Sequence, residues 1–291
     1  MGPVLTFLRS GADAIFDRIE HGPSRARWRA FRPSILSSVE LFIAAFLASV
    51  FGSMVGLGGG FILVPVLRLF FGFAPADASG TALVLVVANS GSGAFTYLLQ
   101  RRVHVRVGLL FASGGWVGSV IGALLAKRIS ASLFDDLLAF LLVAVSLDMV
   151  LRHGRTIRRR EHKAGRVEEL EGVPTPIAIT IGFFIGLVSS LFGIGGGVVM
   201  VPSLLYFSDL PAHAISATSH FGIVLTSPVG LLTHAFEHDV RVADILPLVI
   251  GGLLGGPIGA NLSLRLRSPQ LLVFVALALT IGAVSLILHH V

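Results

Sequence analysis

The chain contains no cysteine, two tryptophans and two tyrosines, and only 16 acidic residues among its 291. Without cysteine there are no disulfides, no thiolate nucleophile and no sulfur ligand for a metal. Charged residues make up 13% of the chain, against about 25% in an ordinary soluble domain. That scarcity, with 54% hydrophobic residues and a mean hydropathy of +0.87, excludes a disordered protein and argues against a soluble enzyme.

What is present is long apolar sequence. Asp, Glu, Lys and Arg are absent from residues 41–67, 78–100, 107–126, 172–208, 210–236, 245–264 and 268–291. A membrane span takes about 20 apolar residues, and each window reaches that length. Residues 133–151 make an eighth segment, with charges only near its ends. A soluble surface helix would carry a polar stripe, which these windows lack. The sequence therefore predicts an all-α polytopic membrane protein, with the lipid bilayer as its surroundings. The net charge of +6 comes from 22 Lys and Arg, gathered at the N-terminus and in 152–166. Basic loops of this kind read as cytoplasmic under the positive-inside rule rather than as nucleic-acid contacts. The opening MGPVLTFLRSGADAIFDRIE has too short an apolar run for a cleaved signal peptide and reads as an interfacial segment.

The chain also repeats itself. FGSMVGLGGGFILVPVL resembles SSLFGIGGGVVMVPSLL at an offset of 137 residues, placing Gly58, Gly59 and Gly60 on Gly195, Gly196 and Gly197. The offset holds without a gap through Val64-Pro65 on Val201-Pro202, Ser79 and Thr81 on Ser216 and Thr218, and Gly114, Gly118 and Gly122 on Gly251, Gly255 and Gly259. The expected organisation is a basic N-terminal segment over 1–34, a transmembrane unit over 35–152, a charged linker over 153–171 and a second unit over 172–291. Each unit carries about four transmembrane helices, one of them glycine-broken or re-entrant. The 37-residue charge-free window 172–208 would make about 55 Å of helix, nearly twice a bilayer core, so it must break. The basic residues favour an even number of crossings per unit, eight in all with parallel units. Alternating access favours an odd number and inverted units.

Three adjacent glycines expose backbone and weaken a helix by about 1 kcal/mol each. Irregular backbone survives in a membrane only where protein buries it or a cavity is lined by it. The free N–H groups at the start of the following half-helix carry partial positive charge and suit an anion without any Lys or Arg. Close helix packing is the competing explanation. Pro65 and Pro202 suit the first turn of a helix starting at the break. For the Gly-xxx-Gly spacings at 114/118/122 and 251/255/259, packing is the better reading.

These elements resemble the TauE/SafE family of sulfite exporters and related organic-anion permeases. The residues that carry the likeness are Gly58–Gly60, Val64-Pro65 and Ala78-Ser79-Gly80-Thr81-Ala82, then Gly195–Gly197, Val201-Pro202 and Ile215-Ser216-Ala217-Thr218-Ser219. The first copy has Ala82 where the second has Ser219. The resemblance spans about 35–290 and implies an inner-membrane transporter of small sulfur-containing or carbon anions.

Polar groups inside a membrane are functional candidates by default. Ser79, Thr81, Ser216, Thr218 and Ser219 would add hydroxyls to an oxyanion site at the glycines. Lone Ser and Thr more commonly bond back to their own helix, the reading preferred for Ser92 and Thr226. His220, whose counterpart is Leu83, is a candidate for proton coupling. Arg68 is expected to reach the membrane interface.

His234-Ala-Phe-Glu237-His238 matches the His-x-x-Glu-His zinc pattern. A hydrolytic site needs a third ligand, and the aligned Tyr97, Gln100 and Arg101 offer no ligand pair. The function expected is export of a small anion such as sulfite or an organosulfonate by a secondary transporter, with no cofactor, no metal and no catalysis. The alternatives are an intramembrane zinc hydrolase and a non-transporting scaffold. Association into homo-oligomers is left open.

Overall fold

The structure is a computed structural model that describes residues 35–160, 174–208 and 210–265 and Thr280, without the side chains of 35–37, 148–160 and 212. The expected segment 1–34, most of the linker and the last crossing, 268–291, lie outside these residues. Val39–Val291 form one compact unit; of the other, Met1–Ser38, only the first residues of a helix are described.

Every extended element described is helical. They are α1 (Ile35–Val55), α2 (Gly60–Leu69), α3 (Pro75–Leu99), α4 (Val105–Ala126), α5 (Ala131–Arg160), α6 (Thr175–Phe192), α7 (Gly197–Phe207), α8 (Ala212–Phe236) and, after a 3-10 turn at Val242–Asp244, α9 (Ile245–Leu262). Among the described residues, α1, α3, α4, α6, α8 and α9 are long and apolar enough to cross a membrane. Their outer faces expose large apolar side chains, such as Trp116, Val117, Ile121 and Leu124 on α4 and Leu246, Leu253, Leu254 and Ile258 on α9. Such continuous apolar surface suits lipid and not water.

The boundaries keep the 137-residue spacing: α2 and α7 start at Gly60 and Gly197, and α3 and α8 end at Leu99 and Phe236. Both short helices begin at the glycines because Gly59 and Gly196, their N-caps, take left-handed φ values of 83° and 72°. Glycine adopts that region at little cost. Pro65 and Pro202 are each the sixth residue of their helix, not in the first turn, because each helix starts directly at its glycine.

Glycine faces set the packing and reveal the helix directions. On α4, Gly114, Gly118 and Gly122 lie against Ile179, Phe183 and Leu187 of α6, rising together, so α4 and α6 are parallel. On α9, Gly251, Gly255 and Gly259 lie against Ala45, Ser49 and Ser53 of α1, again parallel. Gly252 and Gly256 pair α9 in parallel with α3 at Ala88 and Ser92. Where α3 meets α8 the order reverses: Gly93 lies against His220 and Gly230 against Leu83. Thus α1, α3 and α9 run one way and α4, α6 and α8 the other.

The first break folds the chain back. A Cβ at Gly59 would stand 2.8 Å from the Ala48 carbonyl oxygen, a full turn or more before the end of α1. The hairpin of α1 and α2 therefore returns toward the end where α1 began. The arrangement with eight crossings and parallel units requires α3 and α8 to point the same way, and they do not. The basic-residue count leaned on the N-terminal segment; a bias from loop charge is small beside the packing of glycine-faced helices.

Candidate functional site

Both breaks are buried at the centre of the bundle, where each touches the other and the long helix of the opposite half. Residues Gly52–Phe61 and Leu191–Val198 are all buried. A Cβ at Gly60 would stand 2.8 Å from the Ile194 Cα, and one at Gly197 2.5 Å from the Leu57 Cα. Gly56 packs on the Ser216 backbone of α8 and Gly193 on the Ser79 backbone of α3, 2.7 and 2.5 Å from a built Cβ to the respective Cα. Val86 of α3 and Ile223 of α8 cover the crossing: their methyl groups lie 3.5 and 3.4 Å from a Cβ at Gly58.

The chemistry of the crossing is that of bare backbone. The N–H groups of Gly59, Gly60 and Phe61, and of Gly196, Gly197 and Val198, make no backbone hydrogen bond among the described residues. They sit at the N-termini of α2 and α7, where the helix dipole adds partial positive charge. Two such termini side by side, buried and with no Lys or Arg between them among the described residues, offer N–H donors suited to an oxyanion.

Each hydroxyl singled out in the sequence has a definite place. Ser79 Oγ donates to the Leu191 carbonyl (2.8 Å) and Ser219 Oγ to the Gly56 carbonyl (2.8 Å), so both brace a break. Ser216 is buried against Gly56. Thr81 and Thr218 lie farther out: Thr81 Oγ1 accepts the Arg241 N–H (3.1 Å) and Thr218 Oγ1 the His104 N–H (3.0 Å). They fasten the chain after α8 and after α3, at opposite ends of the bundle. Thr226 Oγ1 bonds back to Gly222 O (3.0 Å), and Ser92 Oγ to Asn89 O and to Gly252 O (both 3.2 Å). His220 is fully buried, with Nε2 2.9 Å from Ser53 Oγ.

Ser53 and Tyr97 were not singled out in the sequence. Ser53 Oγ donates to Asn89 Oδ1 (2.7 Å), and the Tyr97 hydroxyl donates to the Ser53 carbonyl (2.6 Å). The offset gave a hint, since Ser53 falls on Ser190 and Tyr97 on His234. His234 Nε2 lies 2.9 Å from the Ser190 carbonyl, the same bond in the other half.

The remaining charged groups are held at the bundle ends. Arg68 makes a two-pronged ion pair with Asp135 at the start of α5 and donates to the Phe73 carbonyl. His234 Nδ1 lies 3.1 Å from Asp239, Glu237 is 3.0 Å from Lys127, and Lys127 is 3.2 Å from Asp239. Burial works against the Lys127 ammonium, but Glu237 and Asp239 outweigh it and hold its proton above the usual lysine range. Within the zinc-like run, His234 and Glu237 are thus engaged with other side chains and with backbone. No group of three metal-ligating side chains occurs among the described residues.

Comparison with known proteins bears on the whole helical region. The family model for the sulfite exporter TauE/SafE matches residues 41–286. A probable membrane transporter protein of Bacillus subtilis, YunE, is 29% identical over 87% of this chain and 98% of its own. One from Sinorhizobium, ORF9, is 30% identical over 83% of this chain and 90% of its own. YfcA of Escherichia coli, another probable membrane transporter protein, is 28% identical over 77% of this chain and 80% of its own. No solved structure matches. With the match covering nearly all of the apolar sequence, and with six helices able to span a membrane, the chain belongs to the TauE/SafE family and is a multi-pass membrane transporter.

Proposed function

We propose that the protein is a secondary transporter that exports a small sulfur-containing anion, sulfite or an organosulfonate, across the bacterial inner membrane. The observation that carries this reading is the meeting of two buried glycine breaks, with six N–H groups at two helix N-termini that make no backbone hydrogen bond among the described residues. The anion binds between Gly58–Gly60 and Gly195–Gly197. Ser79, Ser216 and Ser219 hold the breaks in place, and Thr81 and Thr218 tie the long helices to the loops that move with them.

The two halves, 35–152 and 172–291, act as inverted copies. The antiparallel course of α3 and α8 supports this, as does the recurrence of contacts at the 137-residue offset: Gly56 on Ser216 and Gly193 on Ser79, Thr81 with Arg241 and Thr218 with His104. Inverted halves can exchange conformations, so that one side opens as the other closes around a central site.

Thermal unfolding of the detergent-purified protein with sulfite, sulfate, thiosulfate, sulfoacetate, acetate or zinc tests the reading. A bound anion at 100 times its dissociation constant adds about 2.7 kcal/mol, so a sulfur oxyanion should raise the melting temperature clearly. A shift with zinc alone, or with no anion, counts against it.

Gly58→Ala provides the matching variant. Around Gly58 (φ +86°) a Cβ meets only side chains, the nearest at 3.4 Å, so the cost is mainly the left-handed backbone, about 1–2 kcal/mol. At Gly59 a Cβ also presses on the Ala48 carbonyl oxygen at 2.8 Å. Melting curves should therefore place Gly59→Ala well below Gly58→Ala. Equal losses would mean that the backbone around Gly59 yields freely.

A further inference from the structure

One polar cluster is left over once the breaks are accounted for, and its histidine has no counterpart at the 137-residue offset. Ser53 of α1, Asn89 and Tyr97 of α3, and His220 of α8 are all fully buried. The Ser53 hydroxyl gives its proton to Asn89 Oδ1, so it must accept from His220 Nε2–H. That order fixes the histidine as the Nε2–H tautomer and leaves Nδ1 as a bare acceptor. His220 Nδ1 and Asn89 Nδ2 make no hydrogen bond among the described residues. A buried polar atom without a partner is costly.

The cluster adjoins the first break. Ser219, next to His220, donates to the Gly56 carbonyl, and Ser53 stands three residues before Gly56. It also joins the two halves, with Ser53 and Asn89 on one side and His220 on the other. Ser53 and Asn89 fall on Ser190 and Thr226 of the second half, and His220 falls on Leu83 of the first, so no second histidine answers His220.

Few groups compete for a proton here. From α3 the Tyr97 ring faces the imidazole edge-on, 5.7 Å between centroids. Behind it the Arg102 guanidinium lies 5.1 Å from the Tyr97 ring. From α1 the facing group is the neutral Ser53, and no carboxylate is bonded to His220 among the described residues.

We propose that His220 is the coupling site of the transporter, taking one proton at Nδ1 in each cycle. The inference rests on the anion-transport reading. The proton adds to the Nδ1 lone pair from one side of the membrane and leaves to the other, and no other bond is made or broken. Ser53 and Asn89 are positioning residues that hold the ring so that Nδ1 stays free. Because the first half has Leu83 in this place, the proton is bound on one side of the crossing only.

Purified full-length protein in liposomes separates the possibilities, with radiolabelled sulfite and sulfoacetate as probes. Exchange of labelled for unlabelled anion needs the anion site alone, whereas accumulation driven by an imposed pH gradient needs the coupling site as well. His220→Gln keeps an N–H donor toward Ser53 but has no titrating nitrogen. It should keep exchange and lose gradient-driven accumulation to the level of empty liposomes. Accumulation equal to wild type in His220→Gln would overturn the proposal. If that variant does not fold, wild type with an entrapped pH dye decides: sulfoacetate flux without proton movement overturns the proposal. Wild type that exchanges neither anion fails the anion reading itself, and the coupling role falls with it.

Discussion

Gly118→Val is expected to prevent the protein from reaching its folded state. A Cβ at Gly118 would overlap the Phe183 carbonyl oxygen and stand 2.8 Å from the Leu187 nitrogen, both backbone atoms of α6. No rotamer change relieves a clash with backbone. Separating α4 from α6 would also lift Gly114 and Gly122 off Ile179 and Leu187. Helices in lipid associate through close packing of this kind, since lipid is as apolar as the helix surface. Ordinary overpacking costs about 1–3 kcal/mol; here the loss should exceed about 4 kcal/mol, the range tied to a broken core. Recovery of monodisperse protein from detergent, and its melting curve, provide the check. Gly91→Ala is the control. Nothing lies within 4 Å of a Cβ there, and alanine favours helix over glycine by about 1 kcal/mol. That variant should melt at or above wild type. A Gly118→Val protein of wild-type stability would mean that α4 and α6 do not pack as described.

The second large effect concerns the Arg68–Asp135 pair. The side chains are 13% and 5% exposed, and Arg68 also lies 5.9 Å from the Phe134 ring. A buried pair contributes little net stability over apolar residues of similar size, yet removing one partner strands a charge and costs about 3–5 kcal/mol. Asp135→Leu alone is therefore expected to be severely destabilising. The sequence itself indicates a rescue: at the related positions of the second half stand Leu205 and Leu272. The double variant Arg68→Leu with Asp135→Leu should recover most of the lost stability. Melting temperatures of the two single variants and the double one complete the cycle. Additive losses would show that the two side chains act independently.

Much of the architecture was legible in composition and spacing. Windows free of charge located the long helices, because burying a charge in hydrocarbon is costly at any position in the fold. The glycine runs located the starts of α2 and α7, because a left-handed residue is a local backbone property. The hydroxyls were harder. Thr81 and Thr218 read as members of an oxyanion shell, and the fold gives them partners the sequence did not indicate, the N–H groups of Arg241 and His104, 160 and 114 residues distant. A hydroxyl bonds to whatever the fold brings within reach, and spacing along one helix says nothing of that. The sequence discounts the His-x-x-Glu-His run for want of a third ligand, and in the fold His234 bonds with Asp239 and the Ser190 carbonyl, and Glu237 with Lys127.

The sequence by itself determined that this chain lives in a membrane, where its helices break, and which positions recur 137 residues apart. Those features follow from hydrophobic length and from backbone strain, which act within a few turns of chain. Only the tertiary structure decided that the chain folds back after α1, that α3 and α8 run in opposite directions, and that the two breaks meet between Val86 and Ile223. It also brought His220 against Ser53, residues 167 apart in the chain. Direction and neighbourhood depend on which glycine face seats against which helix. That is a property of the packed whole, and loop charge only biases it.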